Sequence, residues 1–99
     1  MKRNIFNAYA TEVCARFAIT EEALFTKTKR KDIVDARHLL YYLCSERPMR
    51  LVYIQSYMAD RGYTINHSSI IYGIRAVSEK AKTDSDYSQA IKDINQLFF

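Results

Sequence analysis

Residues 64–75 read TINHSSIIYGIR. Asn66, His67, Ser68 and Ser69 place four small hydrogen-bonding side chains in front of a segment that then turns apolar. Each can donate or accept, which is what contact with the edges of nucleic-acid bases requires. If a helix starts there, its first four backbone N–H groups are unpaired and suit a phosphate. Asn and Ser are also good caps and first-turn residues in any helix, so the cluster alone leaves both readings open.

A second group of residues has a charge that needs a partner. The chain has 99 residues and a net charge of +4. The excess sits in residues 27–50, where Lys27, Lys29, Arg30, Lys31, Arg37 and two further arginines face three acidic residues. The rest of the chain balances eight basic residues against eight acidic. Such a patch suits a polyanion, although a basic solvated loop would look the same.

Other chemistries find little support. Cys14 and Cys44 lack CxxC spacing or a nearby histidine pair and read as two buried reduced thiols, with no metal expected. No paired carboxylates share an obvious cleft, and neither His38 nor His67 has a serine or cysteine partner at a recognisable spacing. An enzyme is therefore not expected. His38 is expected along the outer face of its helix, near a phosphate. No GxxxxGK loop followed by Ser or Thr is present, so neither nucleotide nor cofactor is expected. The start, MKRNIFNAYATEV, is too interrupted for a signal peptide, and no stretch approaches the roughly 18 apolar residues of a membrane span. A cytoplasmic protein is expected.

The elements that must position these residues are helical. Glycine and proline number two and one, too few for the turns of a sandwich or barrel. Ile5, Tyr9, Val13 and Phe17 predict a first helix from about Asn4 to Ala18. Thr20 is expected to cap a short second helix to about Phe25, with Glu21 and Glu22 at its positive end. Asp32 is expected to cap a long third helix to about Glu46, with Ile33, Ala36, Leu40 and Leu43 inward and Pro48 ending it. A fourth covers about Leu51–Asp60, with Leu51, Ile54 and Met58 inward. The turn RGYT uses the backbone freedom of Gly62. The fifth runs from behind Asn66 to about Lys82, with Gly73 marking close contact with a neighbouring backbone. Thr83 or Asp84 caps the last, whose Tyr87, Ile91, Ile94 and Leu97 or Phe98 pack back. One domain over residues 1–99 is expected, an all-α bundle of about six helices.

The fourth and fifth helices with their short turn form a helix-turn-helix, in which the start of the second helix enters the DNA major groove. That is where Asn66, His67, Ser68 and Ser69 sit. With this motif reached, the chain resembles the C-terminal DNA-binding domain, domain IV, of the bacterial replication initiator DnaA, from about Tyr9 onward. Val13, Phe17, Ile19 and Leu24 match its opening apolar pattern. The basic loop Lys27–Lys31 precedes a helix carrying Arg37, and Leu51 and Ile54 follow. NHSSI, Asn66–Ile70, stands where the family has Asp-His-Thr-Thr-Val, and Tyr72, Ile74, Arg75 and Val77 continue in register.

The resemblance implies a helix-turn-helix fold of the DnaA domain IV and Trp-repressor type. It implies that His67, Ser68 and Ser69 read the major groove. It also implies that Lys29, with Arg30 one step away, enters the adjacent minor groove, and that Arg37 contacts DNA. Asn66 replaces the family's acidic residue, Ile65 its arginine, and serines both threonines. An amide able to pair with adenine thus replaces a carboxylate acceptor, and two methyl groups are lost. The turn is about four residues longer than usual, and a changed target sequence is expected. The function implied is sequence-specific binding of double-stranded DNA by a small stand-alone regulator of replication or transcription without an ATPase, from a bacterium, phage or mobile element. With no heptad seam, a monomer is expected. The competing class is a protein-interaction module whose surface is built from Tyr41, Tyr42, Tyr53, Tyr57, Tyr63 and Tyr72.

Overall fold

The structure, a computed structural model, describes residues 1–97. Six helices and no strand are found among the described residues: α1 (Lys2–Phe17), α2 (Glu21–Leu24), α3 (Lys31–Glu46), α4 (Leu51–Asp60), α5 (His67–Thr83) and α6 (Ser85–Gln96). The long α3 is the centre, packing most extensively against α5 and α1. Ile33, Ala36, Leu40 and Leu43 of its inner stripe are all buried, as the spacing predicts.

Helix boundaries follow local chemistry. Thr20 caps α2 by accepting from the Ala23 N–H at 3.0 Å. Asn66 caps α5 by accepting from the Ser69 N–H at 2.8 Å. Asp84 caps α6 through the N–H groups of Asp86 and Tyr87. The end of α4 is closed by two backbone bonds, Gly62 N–H to the Ala59 carbonyl and Tyr63 N–H to the Met58 carbonyl, both 3.0 Å. This pairing needs a left-handed residue, and Gly62 supplies it at φ 96°.

Two expectations are corrected, the cap of α3 and the neighbour of Gly73, and the inward faces of α1 and α6 are refined. The cap of α3 is Arg30, without a side-chain bond, and Asp32 lies inside the first turn. There its carboxylate accepts from the Ile33 N–H and pairs with Arg30, which holds it below the ordinary aspartate value. On α1 the buried stripe runs through Phe6, Tyr9, Ala10, Val13 and Cys14, while Ile5 and Phe17 are only half-buried. Gly73 meets side chains rather than backbone: a Cβ there would stand 2.7 Å from His38 Cδ2 and 2.9 Å from Tyr41 Cδ2. On α6, Tyr87 and Ile91 pack on the core and Ile94 is buried, but Leu97 is 60% exposed. Phe98 lies outside the described residues. Both cysteines are buried and free, and burial pushes the Cys14 thiol up to about 11.

Candidate nucleic-acid interface

Two segments far apart in sequence flank one cleft of about 520 Å³. Thr28 and Arg37 line it from the basic loop and α3, and Asn66, Ser68 and Ser69 from the start of α5. Asn66, His67, Ser68 and Ser69 are all exposed. The cap bond uses the Asn66 side-chain carbonyl oxygen and leaves its amide N–H groups unused by the cap. Behind this start, Gln55 of α4 donates to the Ile65 carbonyl at 2.8 Å and ties the two helices of the motif together. Gln55 was not among the expected site residues; its position on an exposed-looking α4 turn carried no signal.

The basic loop shows three different situations. Lys27 and Lys29 are exposed and form no ion pair among the described residues. Arg30 pairs with Asp32 at 2.8 Å and Lys31 with Asp35 at 3.1 Å. Those two cations lie at the surface, so the pairs are weak and can be exchanged for a phosphate at small cost.

Arg37 is the third situation. It is 3% exposed, and its guanidinium donates to the carbonyls of Leu24 at 2.8 Å, Thr28 at 3.3 Å and Thr26. Its face lies 4.3 Å over the Tyr63 ring. It therefore joins the loop, through its donors, to the turn before α5, through its face. Expected as a DNA contact, it is instead turned inward by its position. Arg37 is four residues after Ile33 and three before Leu40, on the buried side of α3.

His38 also faces inward rather than along the outer face. It is half-buried where α3 crosses α5 over Gly73, with its ring 5.8 Å from that of Tyr72 in an edge-on arrangement. Burial pushes its pKa below the ordinary value; Asp35 opposes that shift, and Arg37 and Lys31 add to it. Of the six clustered tyrosines, Tyr41 is buried, and Tyr42, Tyr57 and Tyr63 pack on the core. Tyr53 is 37% exposed and Tyr72 69%.

No group of His, Cys, Asp and Glu able to hold a metal occurs among the described residues. No helix there is long and apolar enough to cross a membrane. Compared with known families, residues 10–77 match the model described as the bacterial dnaA protein helix-turn-helix, 68 of the 99 residues. The match runs from the middle of α1 into α5 and includes both walls of the cleft. A comparison with curated proteins returned no match.

Proposed function

Since this chain belongs to the bacterial DnaA helix-turn-helix family, a family of DNA-binding domains, we propose that it binds double-stranded DNA sequence-specifically as a monomer and regulates replication or transcription. The observation that carries this is the shared cleft: Thr28, from the loop that carries exposed Lys27 and Lys29, lines one wall with Arg37, and the exposed polar start of α5 lines the other. Two such walls suit the two grooves on either side of one sugar–phosphate strand. His67, Ser68 and Ser69 meet base edges in the major groove, and the Asn66 amide adds donors there. Lys27 and Lys29 reach the neighbouring minor groove or its phosphates. Arg30 and Lys31 exchange their aspartates for phosphates, and Arg37 holds the loop in position rather than meeting DNA itself.

The test is a selection from random duplexes followed by binding measured against salt. A non-palindromic site is expected, because a monomer has no two-fold axis to mirror. Each phosphate contact contributes about 0.9 to the log–log salt slope, so replacing Lys27 and Lys29 with alanine should lower it by about two. His67→Ala and Ser69→Ala should each cost about 1–3 kcal/mol on the selected site while leaving binding to unrelated duplexes nearly intact. A salt-independent wild type would remove the proposal.

A further inference from the structure

Tyr72 is the most exposed of the six clustered tyrosines, and its ring meets that of His38 edge-on. It is 69% exposed, and the ring of half-buried His38 supports it at 5.8 Å. It lies four residues after Ser68 on α5, so the two share the outward face of that helix. A helical side chain leans toward the N-terminus and covers the turn before its own Cα. The Tyr72 ring therefore stands over the turn that carries Ser68 and Ser69, and it lines the same cleft.

The chemistry of that turn is one-sided. Asn66, Ser68 and Ser69 supply donors and acceptors but no apolar surface, and of the large apolar side chains lining the cleft beside them, among them Val34, Tyr63 and Ile65, Tyr72 is the exposed one. The apolar feature displayed in the major groove is the C5-methyl group of thymine. Resting on the DNA-binding reading above, we propose that Tyr72 is a specificity-determining residue whose ring packs against a thymine methyl next to the bases met by Ser68 and Ser69. A tyrosine has only two side-chain torsions to fix on contact, so its ring offers apolar area at a small ordering cost.

The test uses the full chain and the duplex it selects, with each thymine replaced in turn by uracil. That exchange removes one methyl and leaves every hydrogen-bonding group of the base in place. For the wild type, one replacement should weaken binding about fourfold, as expected for one methyl group no longer buried. Tyr72→Ala should bind the thymine and uracil duplexes equally, because the thymine methyl then has no ring to meet. Tyr72→Phe should behave as wild type. A merely structural role for Tyr72 would shift the melting temperature without abolishing the thymine–uracil difference. The proposal is overturned if no uracil weakens the wild type, if Tyr72→Ala keeps the difference, or if Tyr72→Phe loses it. In those cases salt-dependent duplex binding persists; its absence would instead overturn the DNA-binding reading and this proposal together.

Discussion

Arg37 carries a full charge at 3% exposure with no carboxylate as its partner among the described residues. Three backbone carbonyls and the face of Tyr63 take that role, so the charge is stabilised by dipoles and a ring quadrupole. Those carbonyls belong to Leu24, the last residue of α2, and to Thr26 and Thr28 of the loop that follows it. Removing the guanidinium leaves the Leu24 carbonyl buried without that donor and takes a donor from the part-buried carbonyls of Thr26 and Thr28. Arg37→Ala should therefore cost about 2–4 kcal/mol in urea unfolding. Arg37→Lys should recover only a small part, because a point-charged ammonium cannot spread over three carbonyls and a ring at once. If Arg37 were instead a phosphate contact, both variants would unfold like wild type and only DNA binding would suffer. Lys29→Ala, at an exposed position without an ion pair among the described residues, is the counterpart expected to leave stability nearly unchanged.

The two glycines do different work at the level of elements. Gly62 closes α4 at φ 96°, and nothing lies within 4 Å of where its Cβ would be. Gly62→Ala meets no obstacle but must hold a left-handed backbone, at a cost of about 1–2 kcal/mol. Gly73 has an ordinary helical backbone and no space. Alanine there gains about 1 kcal/mol of helix propensity, but its Cβ falls within 3 Å of rings on α3, one of them the 1%-exposed Tyr41. Overpacking of this kind costs about 1–3 kcal/mol, so the net effect should be destabilising. Because Gly73 sets how closely α5 approaches α3, Gly73→Ala should also weaken site-specific DNA binding more than nonspecific binding, whereas Gly62→Ala should lower both through stability. Thermal melts and duplex titrations of the two variants separate these outcomes.

For the molecule as a whole, His38 links stability to pH. Its folded pKa lies below the ordinary 6.5 because burial disfavours the imidazolium. As pH falls below that value the unfolded chain takes up the proton first, so the stability present above about pH 6.5 is lost as pH falls through the folded pKa. Unfolding at pH 7.5 and 5.5 should show this loss, and His38→Gln should flatten it; an unchanged slope in the variant would place the dependence elsewhere. Sequence by itself determined the helices, because apolar spacing, capping residues and scarce glycine are local signals: Thr20, Asn66, Gly62 and Asp84 act as their types predict. It also determined the polar start of α5, since an exposed helix beginning depends only on the residues there. The direction of Arg37 was partly legible, as it falls within the apolar stripe of α3, but a cation in a basic segment reads as solvated until its acceptors are known. Those acceptors come from a loop 9 to 13 residues away, whose path depends on α2 packing on α3. The turning of His38 toward Gly73 and the support it gives Tyr72 likewise required α3 and α5 to cross. The cleft from Thr28 to Tyr72 exists only in the packed chain, because long-range burial of α3 rather than local propensity brings its two walls together.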